Sequence, residues 1–322
     1  MREIAHRLAD RWIWDFWFAL HEGTCHLFYL QAPRSLGDPE LRHHNASVGH
    51  AVSTDLTSWT VLPDALMPGE QGSWDDLAIW TGSLIRHDGR WHMLYTGIGR
   101  EEASRVQRIG LATSLDLVNW AKHEANPVIE HDPRWYELLD LTVWGDQAWR
   151  DPWLIRDPSE GYFHALLTAR SAAGDPDARG VIGHARSSDL SSWEVLPPVT
   201  SPGEFGHLEV PQVVELGGRF LLLFSAQDVV HSAERIVRLG AAAHSGTFCA
   251  SGSSRLGPFD IRSARPLSPE RTPSLFSGKL IENGAGNWYF LALVMEDAAG
   301  EFVGELGDPI PVTMRDGKPV LG

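Results

Sequence analysis

Internal repetition constrains the fold of this chain more than any other feature of its sequence. A segment that begins at Gly49, GHAVSTDLTSWTVLPDALMP, recurs as GLATSLDLVNWAKHEANPVI from Gly110, as GHARSSDLSSWEVLPPVTSP from Gly183 and, more weakly, as ASGSSRLGPFDIRSARPLSP from Ala250. Each copy has the small residues of a strand, then a polar turn, then an aromatic residue. These aromatic residues are 61, 73 and 66 positions apart: Trp59, Trp120, Trp193 and Phe259. Such regular spacing indicates a repeat architecture.

A second repeated element lies between these copies and occurs five times. It is rich in aromatic and branched residues and follows a turn signal each time: CHLFYLQAP from Cys25, RWHMLYTGIG from Arg90, GYFHALLTAR from Gly161, GRFLLLFSAQ from Gly218 and NWYFLALVME from Asn287. The pattern is typical of a hairpin that leads into a buried strand. Five copies in 322 residues leave about 64 residues per unit, enough for a four-stranded antiparallel sheet with its loops.

The two repeats predict an all-β fold, a five-bladed β-propeller with four antiparallel strands per blade. We expect residues 1–322 to form this single domain, without a C-terminal β-sandwich domain. A pair of β-sandwich domains is the alternative, but no linker rich in Pro, Gly and Ser divides the chain.

The charge balance argues against several classes of partner. The chain has 27 Lys and Arg against 42 Asp and Glu, a net charge of -15, and no basic run. Nucleic acid and anionic membrane are therefore not expected partners. The N-terminal MREIAHRLADRW has charges where a signal peptide needs an apolar core, and no apolar run approaches the ~20 residues that span a bilayer, so we expect a cytoplasmic protein. We expect Cys25 and Cys249 to be free buried thiols.

Three carboxylates have apolar surroundings in the predicted innermost strands, each just before a copy of the second element. They are Asp15 in WIWDFW, Asp151 in WRDPWLI and Glu209 in HLEVPQVVEL, and we expect them to hold corresponding positions in three blades. A propeller brings loops from every blade to one end of its channel, so these acids should converge there. The matching part of blade two, IWTGS, follows Asp75 and Asp76, and that of blade five, SLFSGKLIE, has no equivalent acid.

Each acid also has a purely structural explanation. Asp15 is consistent with a turn or cap residue, although the flanking tryptophans argue against a solvated turn. The Arg-Asp-Pro triplet around Asp151 is ordinary turn chemistry. A carboxylate at the head of an apolar strand, as at Glu209, costs free energy unless it is paired or protonated. Such surroundings raise a carboxyl pKa, which suits a general acid.

Taken together, these motifs resemble glycoside hydrolase clan J, families 32 and 68, the five-bladed propeller enzymes that act on β-fructofuranosides. The segment from Trp12 to Phe18 is similar to the family 32 pattern Trp-Met-Asn-Asp-Pro-Asn-Gly, and Trp14-Asp15-Phe16-Trp17 is similar to the family 68 pattern Trp-Asp-Ser-Trp. Thr81-Gly82-Ser83 resembles Ser-Gly-Ser, Arg150-Asp151-Pro152 matches Arg-Asp-Pro, and Glu209-Val210-Pro211 resembles Glu-Cys-Pro or Glu-Arg-Pro. The likeness covers nearly the whole predicted propeller.

The resemblance implies a retaining glycoside hydrolase whose nucleophile is Asp15, whose transition-state stabiliser is Asp151 and whose acid/base is Glu209. A retaining enzyme holds the attacking carboxylate and the protonated carboxyl that releases the leaving oxygen ~5–5.5 Å apart. The stabiliser transfers no proton; it is expected to hydrogen-bond the ring hydroxyls as charge develops.

Departures from the family patterns lie around the acids. Trp14, Phe16 and Trp17 replace Asn-Pro-Asn, and Val210 replaces Cys or Arg, so the family's sugar contacts are not implied there. We expect tryptophans to form apolar platforms for the C–H face of a sugar, although Trp in a repeat protein is commonly core. The candidate substrate-binding residues are Trp14, Trp17, Gln31, Asp75, Asp76, Trp80, Ser83, Trp149 and Arg150.

The polar loop His43-His44-Asn45 is a candidate for the rim of the pocket. Adjacent histidines are poorly spaced to chelate on one face of a strand, so we expect neither a required metal nor a cofactor.

Three functions stay open on the sequence. The first is a retaining hydrolase of small β-fructofuranosides such as sucrose and fructooligosaccharides, or of a related β-arabinofuranoside, with transglycosylation as a further activity. The second is an inverting furanosidase like those of family 43, which uses a water between its carboxylates. The third is a sugar-binding propeller without activity. In each case the expected partner is a small saccharide, and the sequence does not indicate an oligomeric state.

Overall fold

A computed structural model describes residues 4–157, 159–240, 243–267, 275–297 and 299–322. Its strands form five antiparallel sheets, and the first strands of neighbouring sheets contact one another around a closed ring. The prediction of an all-β five-bladed propeller is therefore confirmed. The end of the fourth copy of the first repeat, residues 268–269, lies outside the described residues.

Blades one to four each contain four strands that follow one another in the chain and pair in that order. After a short first strand, β1 (Ile4–His6), blade one consists of β2 (Arg11–His21), β3 (Thr24–Pro33), β4 (Ser47–Ser53) and β5 (Thr60–Leu66). Blade two consists of β6 (Ala78–His87), β7 (Arg90–Ile98), β8 (Gln107–Ser114) and β9 (Trp120–Lys122). Blade three consists of β10 (Trp149–Arg156), β11 (Phe163–Arg170), β12 (Gly180–Ser187) and β13 (Glu194–Leu196). Blade four consists of β14 (Glu209–Leu216), β15 (Arg219–Ala226), β16 (Gly246–Gly252) and β17 (Arg265–Pro266).

In the part of the chain that the structure describes, blade five has six strands instead of four. Five of them are β18 (Leu275–Glu282), β19 (Trp288–Glu296), β20 (Phe302–Gly307), β21 (Ile310–Arg315) and β22 (Lys318–Leu321). One edge of β19 pairs with β18, and its other edge is shared by β20 and β21. The sixth strand is β1, which pairs with β20, so the start of the described chain completes the last blade and closes the ring.

The second strand of each blade is the predicted second repeat, and most of its residues are buried. The blades therefore pack face to face through these strands, where the hydrophobic effect stabilises the ring. Cys25 and Cys249 lie in blades one and four and are free thiols, as predicted, although Cys249 is only half-buried.

The described helices are short. One is the α-helix α1 (Ala233–Leu239), and the others are 3₁₀ turns at Arg34–Leu36, Pro39–His44, Pro176–Ala178, Asp228–Val230 and Ile261–Ser263. Within the described ranges, no helix has the length and apolar character that crossing a membrane requires.

The first repeat owes its regularity to one turn that is used in three blades. In blade one, Asp55 accepts hydrogen bonds from the backbone N–H groups of Thr57 and Ser58 at 2.8 and 2.7 Å. Leu56 then adopts a left-handed φ of 65° and is buried. Leu117 and Leu190 repeat this conformation behind the same kind of aspartate cap. Each of these blades thus needs the same short polar motif at the same place.

Candidate active site

A β-bulge interrupts the first strand of every blade at the same place. The pairing register shifts directly after five residues: Trp14, Trp80, Arg150, Glu209 and Phe276. The residues that follow them are Asp15, Thr81, Asp151, Val210 and Ser277, and all of these except Thr81 have a positive φ, between 31° and 56°. Positive φ is uncommon away from glycine, and bulges occur where a strand must re-aim a side chain. The repeated bulge gives each blade one such position at the same end of the channel.

The three acids do not hold equivalent positions in their blades. Asp15 and Asp151 occupy the bulge itself, whereas Glu209 stands one residue earlier, where blade three has Arg150. The prediction of matching positions is therefore wrong for Glu209. Successive residues of a strand point to different sides, so the offset gives the glutamate a different approach to the site from that of the two aspartates.

Asp15 is held by hydroxyl groups from the two neighbouring blades. Thr81 Oγ1 donates to Oδ2 at 2.9 Å, and Ser277 Oγ donates to Oδ1. Burial raises the pKa of the Asp15 carboxyl, and the charge of Asp151 raises it further. The two hydroxyls and the ammonium group of Lys279 act in the opposite direction. The net effect is a raised pKa for a half-buried carboxyl group whose orientation is fixed by two donors.

Asp151 is fixed by its own set of donors. Its Oδ2 accepts hydrogen bonds from Thr168 Oγ1 at 2.8 Å and from the backbone N–H of Val210 at 3.1 Å. Its backbone N–H donates to Thr96 Oγ1 at 3.0 Å, and Arg150 Nε lies 3.7 Å from Oδ2. Among the described residues no donor is seen for Oδ1, which can therefore accept a hydrogen bond from a ligand.

Glu209 has the surroundings of a general acid. Burial raises the pKa of its carboxyl to about 6; the guanidinium of Arg150 opposes this shift, and the charges of Asp151 and Asp15 add to it. Arg150 Nη2 donates to Oε1 at 2.7 Å, and His207 Nδ1 lies 3.7 Å from the same oxygen. The side chain keeps 24% of its surface exposed. A carboxyl that holds its proton near neutral pH can donate it to a leaving group.

Arg150 connects the acids to a further layer of polar residues. Its Nη1 donates to Asp146 at 3.0 Å and to Gln107 at 3.1 Å. Burial disfavours its charge, but the carboxylates of Asp146, Glu209 and Asp151 together raise the pKa of Arg150 above its ordinary value. A permanent cation therefore stands between the two acids of blades three and four.

The three acids line one cavity of about 450 Å³, a size that suits a small saccharide. Three of the predicted substrate-binding residues also line it: Trp14, Trp80 and Arg150. The ring of His43 lies against Trp14 and Trp80, with centroids 6.0 and 6.3 Å apart, and Trp80 Nε1 donates to His43 O at 2.8 Å. Other parts of the wall are Glu40, Arg42, Asp146, Gln227, Met295, Glu296 and Phe302.

The loop predicted for the pocket rim is divided between the cavity and the surface. It lies in the 3₁₀ turn Pro39–His44, from which His43 faces the cavity. His44 instead hydrogen-bonds Ser104 Oγ at 3.0 Å, and Asn45 donates to a backbone carbonyl of the same turn. In the part of the chain that the structure describes, no group of three or more His, Cys, Asp or Glu side chains is placed to hold a metal ion. A site without metal or cofactor stays a prediction.

Six of the nine predicted substrate-binding residues do not line the cavity: Trp17, Gln31, Asp75, Asp76, Ser83 and Trp149. Trp17 and Trp149 are fully buried in the core, and Trp17 stacks on Phe28 with ring centroids 6.2 Å apart. Gln31 and Ser83 are buried and hydrogen-bond to neighbouring strands. Their side chains support the strands that carry the site instead of facing a ligand.

Asp75 and Asp76 belong to a loop of blade two outside the cavity. Asp75 is buried, accepts a hydrogen bond from Tyr95 Oη at 3.0 Å and forms an ion pair with Lys122 at 2.5 Å. Asp76 accepts hydrogen bonds from backbone N–H groups of its own loop and of Arg100, and these bonds lower its pKa. Both carboxylates are thus already occupied by protein donors.

Blades two and five contribute hydroxyl groups and a lysine to the site, which the sequence analysis did not predict. Thr81 and Ser277 occupy the bulge position and donate to Asp15, and Lys279 is a buried cation two residues further on. The available signal was the lysine in SLFSGKLIE, because a charge in an apolar inner strand is as unusual as the aspartate in WIWDFW.

Comparison with known sequences shows the family. A model described as "Glycosyl hydrolases family 32 N-terminal domain" matches residues 16–253. The chain is 38% identical to an acid beta-fructofuranosidase of Solanum lycopersicum over 185 residues, 56% of this chain and 26% of that protein. It is 30% identical to a sucrose:sucrose 1-fructosyltransferase of Festuca arundinacea over 248 residues, 69% of this chain and 34% of that protein. The matched segments thus span about a quarter to a third of these relatives.

Solved structures show the same fold. Inulosucrase from Halalkalicoccus jeotgali bound to kestose has a TM-score of 0.79 and 22% identity, covering 100% of this chain and 90% of that one. Sucrose-6-phosphate hydrolase from Lactobacillus gasseri has a TM-score of 0.76 and 20% identity, covering 100% of this chain and 62% of that one. Because the family model covers well over half of the chain, the predicted resemblance is confirmed: the chain belongs to glycosyl hydrolase family 32.

Proposed function

We propose that this chain is a retaining glycoside hydrolase that cleaves small β-fructofuranosides, with sucrose and short fructooligosaccharides as the first candidates. The observation that carries the proposal is the set of three carboxylates, Asp15, Asp151 and Glu209, which line one cavity in three different environments. Family membership and relatives named as fructofuranosidases and fructosyltransferases support the same substrate class.

In the first step Asp15 attacks the anomeric carbon of the furanoside. Both of its oxygens are positioned by hydroxyl donors, and its burial removes part of the water that would screen an attacking carboxylate. As the glycosidic bond breaks, Glu209 gives its proton to the departing oxygen. The products of this step are a free alcohol, an ester between Asp15 and the sugar, and an ionised Glu209.

In the second step the same glutamate acts as a base. Arg150, 2.7 Å from Oε1, stabilises the anionic form of Glu209 that the first step leaves behind. The glutamate takes a proton from water, the water oxygen bonds to the anomeric carbon, and the ester to Asp15 breaks. A sugar hydroxyl that replaces this water gives transglycosylation.

Asp151 stabilises the transition state without transferring a proton. Its Oδ2 is occupied by Thr168 and Val210, so Oδ1 is available to accept hydrogen bonds from ring hydroxyls as positive charge develops on the sugar. Trp14 and Trp80 supply apolar walls beside these polar groups.

The test is hydrolysis of a panel of sucrose, kestose, levanbiose and nitrophenyl β-fructofuranoside and arabinofuranoside by the wild-type protein beside Glu209→Gln. We expect turnover of at least one fructofuranoside and a large decrease of this turnover in the variant. NMR of the first-formed sugar separates the two enzymatic alternatives, because a retaining enzyme releases the β-anomer first and an inverting one the α-anomer.

No turnover of any member, with retained binding of a furanose, would favour a sugar-binding propeller without activity. The cytoplasmic location and the absence of nucleic acid and membrane partners stay predictions.

A further inference from the structure

Lys279 is a buried cation that the proposed chemistry does not use. It lies on β18 two residues after the bulge residue Ser277, and it is only 2% exposed. Burying an ammonium group is costly unless hydrogen-bond acceptors and opposite charges around it compensate. Within the described residues no carboxylate forms a direct ion pair with it. Other interactions must therefore compensate for the burial of its charge.

The ammonium group binds the bulge of the neighbouring blade. Lys279 Nζ donates to the backbone carbonyls of Val210 at 2.8 Å and of Pro211 at 3.2 Å. It also lies 5.3 Å from the centroid of the Trp153 ring, within the range of a cation–π interaction. Blade five thus holds the residues that directly follow Glu209 in blade four.

That bulge is strained and needs support. Val210 is β-branched and has a φ of 51°, a conformation that L-residues with branched side chains rarely adopt. Its N–H donates to Asp151 Oδ2 at 3.1 Å while its carbonyl accepts from Lys279. The peptide groups on either side of Val210 are therefore held by one charged residue each, and Glu209 is the next residue along the chain.

The charges that face Lys279 come from two other blades. Asp15 on β2 and Asp151 on β10 both stabilise the ammonium, whereas β14 presents backbone carbonyls to it. Burial lowers the pKa of Lys279 to about 7, so the cation is present in the range where Glu209 still carries its proton. In return, the ammonium lowers the pKa of Asp15.

We propose that Lys279 is a positioning residue of this active site, which holds the Val210–Pro211 bulge so that Glu209 faces the leaving group. The inference rests on the proposed function, since it assigns Glu209 the role given above.

The test compares Lys279→Met with Lys279→Gln. The Met variant loses both the donor and the charge. We expect kcat to fall about 10- to 100-fold, as for hydrogen bonds that involve a charged group, with KM changed less than about threefold. The acid limb of the kcat/KM profile should move to higher pH. The Gln variant keeps a neutral donor for the carbonyls, so it should recover part of kcat but keep the moved acid limb.

Lys122→Met is the matched control, because Lys122 pairs with Asp75 outside the cavity. The Lys122→Met variant should have a lower free energy of unfolding and an unchanged pH dependence of kcat/KM. A Lys279→Met protein with wild-type kcat and an unmoved acid limb overturns the inference, as does one that only loses stability. If the Met variant does not fold, the Gln variant decides by the same criteria.

A wild-type protein that hydrolyses no furanoside refutes the proposed function instead. The inference is then tested by amide hydrogen exchange at Val210, whose N–H should exchange faster in Lys279→Met than in wild type and in Lys122→Met. Equal exchange in the three proteins overturns it.

Discussion

The innermost strands of blades one, three and four carry acids at or beside the bulge, whereas those of blades two and five carry hydroxyls. Each of these strands has the same register shift, and four of the five residues that follow it have a positive φ, Thr81 being the exception. The difference is which side chain occupies the position: Asp15 is negatively charged, and its neighbours Thr81 and Ser277 are its donors. One repeated backbone position therefore provides both the reacting carboxylate and the hydroxyls that support it. Substitutions of the acids should lower activity more than substitutions of the hydroxyls.

The largest effect is expected from Asp15→Asn. The amide keeps the size and part of the hydrogen bonding of the carboxylate but cannot form the ester, so kcat should fall on the order of 10⁴-fold or more. Steady-state hydrolysis of the best panel substrate measures it. Activity above about 1% of wild type would remove Asp15 from the role of nucleophile.

A phosphate group on the substrate should cost about 10²-fold in kcat/KM. Among the described residues that line the cavity, six are carboxylates, Asp15, Glu40, Asp146, Asp151, Glu209 and Glu296, and the guanidiniums are those of Arg42 and Arg150. Arg42 is already paired with Glu40 at 2.8 Å and lies 4.0 Å from the centroid of Phe302. Each like-charge contact in such a cavity costs about 1–3 kcal/mol.

The comparison of sucrose with sucrose 6-phosphate at constant ionic strength measures this effect. Equal turnover of the two, or preference for the phosphorylated sugar, would contradict the charge argument and leave the catalytic roles intact.

The pH profile should report the raised pKa of Glu209. The acid form is needed for the first step and persists up to about pH 6, so kcat/KM should fall about tenfold per pH unit above that value. In Glu209→Gln this alkaline limb should disappear from the residual activity. A profile that stays flat up to pH 8 would mean that another group donates the proton.

The hydroxyl-bearing blades should show smaller effects. Thr81→Val and Ser277→Ala each remove one donor to a charged acceptor, so kcat/KM should fall about tenfold. Because both hydroxyls lower the pKa of Asp15, their loss should also move the acid limb to higher pH. A loss of kcat/KM as large as that in Asp15→Asn would contradict the assignment of reacting acids to one group of blades and supporting hydroxyls to the other.

Asp75→Asn should have the smallest effect on turnover. Asp75 pairs with Lys122 and Tyr95 outside the cavity, so kcat/KM should stay within about threefold of wild type. The free energy of unfolding should fall by about 2 kcal/mol, because Lys122 is 27% exposed and remains partly solvated without its partner. Chemical denaturation measures the loss of stability, and hydrolysis by the same preparation measures the retained kcat/KM.

Much of the fold was predictable from the sequence because every blade repeats the same local requirements. The turn at Asp55 needs a short polar motif, and the buried second strands need branched and aromatic residues, so both recur visibly. Asp15 and Asp151 could be found because a charge in an apolar strand is rare.

The remaining parts of the site depend on features that periodicity does not encode. A one-residue bulge shifts register, so Glu209 could not be placed relative to the aspartates from the sequence. Trp17 and Trp80 are both tryptophans of innermost strands, yet Trp17 packs in the core while Trp80 faces the cavity. The packing of the blades decides which side of a strand stays open.

The closure of blade five by β1 has a consequence for protein synthesis. Asp15 hydrogen-bonds Ser277, which lies 262 positions later in the chain, and the two come together only when the first and last blades meet. Contacts of such long sequence separation form late in folding. A chain still emerging from the ribosome therefore carries Asp15 without its second donor, and we expect the proposed fructoside cleavage only from molecules whose last blade has folded.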